Sequence, residues 1–429
     1  MTKNKIVQNA SWIIIGKIGQ SLLGLIVTML TARFLGPSNY GIISYAASIV
    51  TFLVPIMQLG LNEIMVQEIV EAPDEAGKII GTSIFMNFIS AIACMICVFI
   101  FVSFVNHGEK DTIIVCCLYS ILLLFQSVDL IRYWFQAKYL AKYISIICLI
   151  SYAIASAYKI FLLVTGKSIY WFAVSNAIDY LFVAVFSVCV IKKIGHVKFK
   201  FSRQLAIKLF NKSKYYIISG LMVNVFAQTD KIMLKIYIDD TITGYYTAAV
   251  TCAAMTSFVF IAIIDSLRPL IFKSKNSCQE KYENYIVLLY TIVIYLSLAQ
   301  SLFMTVFSPL IIKVLYGESY QPAVQVLRLI VWYTTFSYMG PVRNIWILVE
   351  GKQKYIWQIN LSGALLNIIM NACLIPIWGA MGAALASLIT QIFTNVVVGY
   401  IIRPISYNNS LMVRGLNPNQ LFQYIKRRT

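Results

Sequence analysis

The sequence predicts an all-α integral membrane protein, with about twelve transmembrane helices in two six-helix bundles that are related by pseudo-two-fold symmetry around a central cavity. Three observations lead to this fold class: the composition, the length of the apolar runs and the distribution of basic residues. Of the 429 residues, 59% are hydrophobic and only 12% are charged, whereas about a quarter of a soluble domain is charged. The composition therefore excludes a soluble globular enzyme, a disordered chain and a small disulfide-linked domain.

The apolar runs predict the individual spans. A helix needs about 20 mostly apolar residues to cross a bilayer. The first run directly follows a short polar N-terminus and is too long for the apolar region of a signal peptide, so we expect it to be retained as the first span. The runs lie near residues 11–33, 40–60, 80–105, 112–135, 143–165, 168–191, 214–237, 244–270, 285–307, 323–348, 355–377 and 379–402.

The basic residues predict the orientation. The chain has 35 lysine and arginine residues against 17 aspartate and glutamate residues, and cytoplasmic loops are enriched in basic residues. If the N-terminus is cytoplasmic, the most basic segment, residues 192–214, also lies inside. The outside segments then carry only Arg33, Lys110, Lys167, Lys235 and Lys313. We therefore expect both termini in the cytoplasm, and we expect no nucleic-acid partner.

No catalytic, cofactor or metal site is predicted. The two histidines, His107 and His196, fall in connecting segments, and the CxxC pair Cys94 and Cys97 lies within an apolar run. Buried cysteines in such surroundings usually act as small hydrophobic residues. No glycine-rich phosphate-binding motif occurs at a strand-to-helix junction, and no extramembrane segment is long enough for a catalytic domain. We therefore expect that the protein is not an enzyme and needs no cofactor.

The chain is predicted to consist of two halves. Residues 29–46 resemble residues 232–249, and residues 142–179 resemble residues 354–391. With an even number of spans in each half, both halves enter the membrane from the same side, which predicts parallel repeats with a binding site between them. The predicted domains are an N-terminal bundle (1–195), a basic cytoplasmic linker (196–213) and a C-terminal bundle with a short basic tail (214–429).

Polar residues recur at helical spacing in the first two spans of each half. A charge at mid-bilayer costs about 2.5–3.5 kcal/mol on insertion scales, so such residues usually face protein or a wet cavity. Alternatively, serine, threonine and glycine aid helix packing, which explains Ser48 or Thr251 but not Lys17 or Lys231. The four stripes are Lys17, Gln20, Ser21, Gly24, Thr28 and Thr31; Ser44, Ser48, Thr51, Pro55 and Gln58; Gly220, Asn224, Gln228, Lys231 and Lys235; and Thr247, Thr251, Asp265 and Arg268.

These stripes predict a cationic cavity. Lys17 and Arg343 fall toward the inside and Lys231 toward the outside, an arrangement that suits a solute carrying phosphate. Asp179 and Asp230 are the carboxylates best placed to titrate or to take a cation, and we predict them as ion-coupling residues. The predicted substrate-binding residues are Lys17, Gln58, Asn224, Gln228, Lys231, Arg268 and Arg343.

Five segments, in order along nearly the whole chain, carry a family resemblance. Residues 31–41, TARFLGPSNYG, resemble the ARxLGPxxYG signature of O-antigen (Wzx/RfbX-type) polysaccharide-unit flippases, which belong to the multidrug/oligosaccharidyl-lipid/polysaccharide exporter superfamily. The segments 134–139 (WFQAKY), 228–234 (QTDKIML), 314–320 (VLYGESY) and 374–384 (LIPIWGAMGAA) resemble the same family. The resemblance implies twelve helices in two bundles with a V-shaped cavity.

The resemblance also implies the substrate and the partners. The substrate would be an undecaprenyl-diphosphate-linked oligosaccharide that is moved from the inner to the outer leaflet by alternating access. Membrane lipid, a polysaccharide polymerase and a chain-length regulator would be the other partners. Two alternatives remain open: a multidrug or cation antiporter of the same superfamily, and a membrane enzyme such as a polysaccharide polymerase.

Overall fold

The structure is a computed structural model that describes residues 3–195, 197–275 and 278–418, without the side chains of residues 3–18 and 22. Every regular element in these ranges is helical, which confirms the predicted all-α class. The chain divides into two compact units, Met1–Gln228 and Thr229–Thr429. The boundary falls inside a single long helix, and the predicted division at a basic linker stays a prediction.

The first unit contains eight helices and the beginning of a ninth within the described ranges. Its longest helix, α1, has 55 residues because it merges two predicted spans, and its shortest, α5, has 5 residues because it is part of a broken span. The helices are α1 (Lys3–Met57), α2 (Leu61–Glu71), α3 (Ala76–Val105), α4 (Lys110–Ser120), α5 (Leu122–Gln126), α6 (Ile131–Ala137), α7 (Ala141–Val164), α8 (Ile169–Gly195) and α9 (Arg203–Tyr237).

The second unit begins within α9 and ends with a short helix that packs on α12. A π-helical turn, Phe393–Val397, interrupts its last span. The remaining helices are α10 (Asp240–Ala253), α11 (Ser257–Lys275), α12 (Gln279–Leu315), α13 (Ala323–Ser337), α14 (Met339–Val349), α15 (Ile356–Ile392), α16 (Val398–Ile401) and α17 (Ser406–Arg414).

Two glycines break long helices at or next to the predicted boundaries between spans. Gly36 in α1 has φ 73° and ψ 171°, and Gly379 in α15 has φ 54° and ψ −130°. Both φ angles lie in the region that side chains with a Cβ rarely adopt. Pro37 follows Gly36 directly and suits the first position of a new helix, where no N–H donor is needed. Both breaks fall in segments that resemble family motifs.

Eight helical stretches among the described residues are long and apolar enough to cross a membrane, or nine if the bent pair α10 and α11 forms one span. Two of these stretches, Gly19–Glu71 and Gln353–Ile401, contain 53 and 49 residues, whereas one crossing needs about 20. Each of them contains one of the glycine breaks, so each is long enough for two crossings. The chain is a multi-pass membrane protein, and the count of twelve spans stays a prediction.

The outer helix faces are apolar, as lipid requires. Large hydrophobic side chains are exposed along α3, such as Phe99, Ile100 and Phe104, and along α12, such as Leu302 and Phe303. Monomeric soluble proteins rarely expose such continuous apolar surface. Inside each unit, apolar clusters form the core around Leu61 and Phe135 in the first and around Tyr290 and Trp346 in the second.

Part of the predicted linker packs in a groove of α3. The backbone N–H of Lys200 donates to the Gly77 carbonyl oxygen at 3.3 Å. A Cβ atom on Gly77 would lie 2.4 Å from the Lys198 carbonyl oxygen, and one on Gly81 would lie 2.7 Å from the Lys200 backbone. Two glycines four residues apart leave a groove on a helix, and here it holds an extended segment of chain.

Candidate functional site

The second unit holds a buried carboxylate, Asp230 of α9, which is 6% exposed. Tyr246 Oη of α10 donates to its Oδ2 at 2.5 Å, and Asn371 Nδ2 of α15 donates to its Oδ1 at 2.5 Å. Ser387 Oγ, on the other side of the α15 break, also donates to Oδ2. Asn371 Nδ2 further contacts Asn367 Oδ1 at 3.0 Å. Three neutral donors therefore compensate the burial of this charge.

Lys231, the next residue on α9, is half-buried. Its ammonium group makes no hydrogen bond or ion pair with any described residue. An ammonium group in apolar surroundings normally finds a partner or reaches water. Lys231 interacts electrostatically with Asp230, the preceding residue, but no hydrogen bond to a described residue occupies its ammonium group, which can therefore contact a ligand. Lys235, one turn later, is buried and forms an ion pair with Asp240 at 2.9 Å.

Arg343 of α14 is a second buried cation, 6% exposed. Its Nη1 donates to the Thr394 carbonyl oxygen at 2.6 Å and to Asn395 Oδ1 at 3.1 Å, and its Nη2 donates to Asn344 Oδ1 at 3.2 Å. All of these acceptors are neutral. No carboxylate among the described residues lies within ion-pair distance, so the guanidinium group keeps its full charge inside the unit.

Asn224 of α9 forms a hydrogen bond to α1 that its position in the polar stripe does not predict. Its Nδ2 donates to the Thr51 carbonyl oxygen of α1 at 2.6 Å. In an α-helix this carbonyl would accept from residue 55, but Pro55 has no N–H to donate. A Cβ on Gly220 would lie 2.9 Å from the Pro55 side chain. Asn224 and Gly220 thus fit α9 against the proline of α1.

The other predicted substrate-binding residues occupy different environments. Gln58 and Gln228 are half-buried. Arg268 is exposed and pairs with Asp265, three residues earlier on α11, at 3.5 Å, so its charge is screened by water. The side chain of Lys17 lies outside the described residues. The structure therefore brings Lys231 and Arg343 into the interior of the second unit and leaves Arg268 at its surface.

In the first unit, the predicted ion-coupling residue Asp179 lies on α8. Its Oδ1 atom is buried without a hydrogen-bond partner among the described residues. Lys159 of α7 donates to Asn176 Oδ1 at 2.8 Å, one turn before Asp179. Asp129 and Arg132, three residues apart, form an ion pair in which Arg132 Nη2 lies 2.7 Å from Asp129 Oδ1.

Several hydroxyl groups of the polar stripes bond within their own helices. Ser44 and Ser48 donate to the carbonyl oxygens four residues earlier, each at 2.8 Å. Thr31 and Thr251 do the same at 2.7 and 2.8 Å. Such local bonds satisfy a hydroxyl group in an apolar helix without any ligand. The packing interpretation therefore describes these four residues better than a cavity lining.

Sequence reasoning missed the side chains that hold the buried charges. They are Tyr246 and Asn371 around Asp230, and Asn395 beside Arg343. One signal was present: amide side chains recur four residues apart at 367 and 371, and again at 391 and 395, which places each pair on one helix face. Together these groups offer a caged carboxylate and a buried guanidinium, which can bind ions and polar headgroups but include no paired nucleophile and base.

The chain matches a known protein family. The family described as polysaccharide biosynthesis protein matches residues 6–275, which is more than half of the chain. An uncharacterized membrane protein of Methanocaldococcus jannaschii is 24% identical over 421 residues, which cover 90% of this chain and 81% of that protein.

Solved structures of membrane transporters share the fold. The lipid II flippase MurJ in an inward closed conformation matches with a TM-score of 0.70 and 15% identity, over 96% of this chain and 92% of the flippase. An inward-facing multidrug resistance MATE family transporter of the MOP superfamily matches with a TM-score of 0.64 and 13% identity, over 94% and 96%. The eukaryotic MATE transporter AtDTX14 gives 0.63 and 12%, over 95% and 98%. At these identities the likeness shows the fold.

Proposed function

The chain belongs to the polysaccharide biosynthesis protein family, and we propose that it is a flippase for undecaprenyl-diphosphate-linked oligosaccharide repeat units. It would move these units from the cytoplasmic to the outer leaflet by alternating access, for the synthesis of O-antigen, capsule or exopolysaccharide. In this proposal the protein lies in the bacterial cytoplasmic membrane with both termini in the cytoplasm. A polysaccharide polymerase and a chain-length regulator would act on the translocated units.

The observation that carries the proposal is the uncompensated charge of Arg343. This guanidinium group is buried, contacts only neutral oxygens and has no described carboxylate within ion-pair distance. Burying an ion inside a protein costs on the order of several kcal/mol, even after the surrounding protein relaxes. Ionisable residues inside membrane proteins are rare and mark substrate or ion pathways. A buried arginine without an acidic partner favours an anionic solute.

The diphosphate group matches this chemistry. Arginine binds phosphoryl oxygens through a planar fork of N–H donors, and lysine binds them as a point charge. Arg343 and Lys231 would therefore bind the diphosphate, with Lys17 and Arg268 as further proposed contacts. Gln58, Asn224 and Gln228 would offer amide groups to the sugar hydroxyls. The isoprenoid tail would remain in lipid, because only the headgroup needs a polar path across the hydrocarbon.

Two carboxylates are proposed to couple transport to an ion gradient. Asp230 is caged by hydroxyl and amide groups, and Asp179 has a buried oxygen without a partner among the described residues. Carboxylate, hydroxyl and amide oxygens are suitable ligands for a hard cation, and a carboxylate can also carry a proton. The two residues therefore differ in the hydrogen bonds that their carboxylate groups accept.

A complementation experiment tests the proposal. In a strain that lacks its own copy of this gene, the wild-type protein should restore surface polysaccharide and clear lipid-linked units from the cytoplasmic leaflet. Lys231→Ala should lower surface polymer at least about tenfold, as expected for the loss of one charge-assisted contact, with an unchanged amount of protein in the membrane. Lys313→Ala is the matched control, because Lys313 pairs with exposed Glu318 outside the unit interior.

Three results would contradict the proposal. Wild-type surface polymer in the Lys231→Ala strain, and in an Arg343→Gln strain, would remove the argument for phosphate binding. Extrusion of cationic dyes without any effect on lipid-linked sugars would favour a multidrug antiporter. Growth of a polymer chain by the purified protein would favour a polymerase.

A further inference from the structure

The π-helical turn in the last span leaves one backbone acceptor without its usual partner. The N–H of Val398 donates to the Phe393 carbonyl oxygen, five residues earlier. In an α-helix the same N–H would donate to the Thr394 carbonyl oxygen, four residues earlier. An unpaired buried carbonyl costs about 1–3 kcal/mol, so Thr394 needs a donor from elsewhere.

Arg343 supplies that donor. Its Nη1 donates to the Thr394 carbonyl oxygen at 2.6 Å and to Asn395 Oδ1 at 3.1 Å. Asn395 is fixed in turn, because its Nδ2 donates to Gln391 Oε1 at 2.6 Å. The side chains of the π turn thus orient the oxygen that contacts the guanidinium group.

Two glycines allow the neighbouring helices to approach this turn. A Cβ on Gly340, three residues before Arg343, would lie 2.9 Å from Asn395 Oδ1. A Cβ on Gly363 of α15 would lie 2.5 Å from Thr394 Cγ2. The π turn is therefore closely packed against α14 and α15, and Arg343 reaches it from the α14 side.

The guanidinium group of Arg343 keeps N–H donors that can bind a further acceptor. Its Nε is buried and has no hydrogen-bond partner in the described part of the chain, and its Nη2 contacts only Asn344 Oδ1, at 3.2 Å. Nε and Nη2 form one edge of the planar fork that binds two phosphoryl oxygens. The edge that contacts the turn is a different one, formed by Nη1.

We propose that Arg343 is a two-position anion-binding residue, held on the π turn in this conformation and transferred to the phosphoryl oxygens of a lipid diphosphate when the turn adopts the α register. The proposal rests on the proposed function, since it names the headgroup that this cation receives. In the α register the Val398 N–H replaces Nη1 at the Thr394 carbonyl, so no backbone acceptor is left unpaired. The extra residue of the π turn is displaced toward the end of α16, where the α-helix already stops.

This exchange links headgroup binding to the shape of the last span. The π register stabilises the held position of Arg343, and a phosphoryl group stabilises the released position. A ligand shifts an equilibrium only by its different affinity for the two states, and here one guanidinium group contributes to both. π turns inside α-helices occur frequently at functional sites, which agrees with a role in substrate response.

Structures of the full-length protein in lipid nanodiscs, with and without undecaprenyl diphosphate, test the register directly. We expect the Val398 N–H within hydrogen-bonding distance of the Phe393 carbonyl in the free protein and of the Thr394 carbonyl in the complex, with Arg343 on the phosphoryl oxygens. A parallel sample with inorganic pyrophosphate shows whether the headgroup alone is sufficient. A bound complex that keeps the π turn and its Arg343 contact would overturn the inference.

Binding measurements with variants provide a second test. Asn395→Asp places a carboxylate 3.1 Å from Nη1 in the present geometry, which should lock Arg343 on the turn and weaken the binding of undecaprenyl diphosphate at least about tenfold. Arg343→Gln should weaken it by a similar factor. Arg328→Gln is the control, because Arg328 Nε donates to Ser308 Oγ at 3.0 Å and does not contact the turn.

The possible failures are distinguishable. If the wild-type protein binds undecaprenyl diphosphate and Arg343→Gln weakens binding, but Asn395→Asp does not, the exchange is wrong and the proposed function stands. If the wild-type protein binds undecaprenyl diphosphate no better than undecaprenol, the proposed function fails and the exchange fails with it.

Discussion

The two units each hold a carboxylate with a buried oxygen next to the same pair of helical segments, but in different ways. When residues 142–179 are aligned with residues 354–391, Lys159 corresponds to Asn371, Ser175 to Ser387 and Asp179 to Gln391. In the second unit these positions supply neutral donors, Asn371 and Ser387, to an aspartate from a third helix, Asp230. In the first unit the carboxylate belongs to the pair itself, and the position of Asn371 carries a lysine.

The two carboxylates therefore differ in their hydrogen bonds, because Asp230 accepts from three neutral donors and Asp179 has a buried oxygen without a donor among the described residues. Lys159 gives the first unit a cation one turn from Asp179, held by Asn176. Asp230 accepts hydrogen bonds only from neutral groups, so a cation from solution could bind it, whereas Lys159 interacts electrostatically with Asp179 without a direct bond. We infer that Asp230 is the stronger candidate for ion coupling, and four predictions test this comparison.

The largest effect is expected from Asp230→Ala. The substitution leaves the Tyr246, Asn371 and Ser387 donors buried without an acceptor, which should lower the free energy of unfolding by at least about 3 kcal/mol. Denaturant titration of the protein in mixed micelles measures it. Asp230→Asn keeps the shape and one acceptor oxygen and should cost less. Equal losses for Asp230→Ala and Asp179→Ala would contradict the comparison, because Asp179 has an oxygen without a described donor.

Lys159→Met should destabilise the first unit by about 1–3 kcal/mol, because Asn176 loses its donor and Asp179 loses its nearby cation. The double variant Lys159→Met/Asp179→Leu should recover part of that loss, since opposite charges inside a protein can often be replaced by apolar residues of similar volume. A double-mutant cycle on thermal unfolding gives the coupling energy. Strictly additive losses would show that the two residues do not interact.

Asn371→Lys transfers the lysine of the first unit to the second. Its ammonium group would pair with Asp230 and take the place of an external cation. We expect transport to lose its dependence on the ion gradient and to slow by about tenfold, equivalent to about 1.4 kcal/mol. Transport into vesicles with and without an imposed gradient measures this. Asn371→Leu, which removes the donor without adding charge, is the control, and a gradient response in Asn371→Lys equal to that of the wild type would refute the assignment of Asp230.

The smallest effect is expected from Arg268→Ala. The ion pair with Asp265 is exposed on both sides, and exposed pairs contribute about 0–1 kcal/mol. The melting temperature should therefore stay within about 2 °C of the wild-type value. A large loss of stability would show that Arg268 contributes to the interior of the unit, in contrast to the surface position described above.

The fold class was predictable because the hydropathy of a helix indicates whether it is surrounded by lipid or by water. Apolar runs gave the spans, and the segment between the first two runs contains Gly36, where α1 breaks. The number of separate helices was less predictable, since whether a chain breaks or bends depends on single φ angles such as that of Gly379.

The sequence allowed us to predict which residues belong to the candidate site, but not which residues they contact. Arg343 and Asp230 were identified as charges in apolar runs, but their partners come from other helices and depend on tertiary packing. Asn224 was predicted to bind substrate, whereas its amide bonds the carbonyl that Pro55 leaves unpaired; both residues were visible in the sequence, but not their proximity. The π turn adds one residue to a helix, which a single sequence does not reveal.

The most direct test of the central claim is translocation by the purified protein in proteoliposomes. The substrate is a fluorescent undecaprenyl-diphosphate-linked oligosaccharide in one leaflet, and a membrane-impermeant quencher reports its arrival in the other. We predict rapid loss of fluorescence with the wild-type protein, and at least about tenfold slower loss with Lys231→Ala or Arg343→Gln. No translocation by the wild-type protein, or equal rates in all three proteins, would contradict the account.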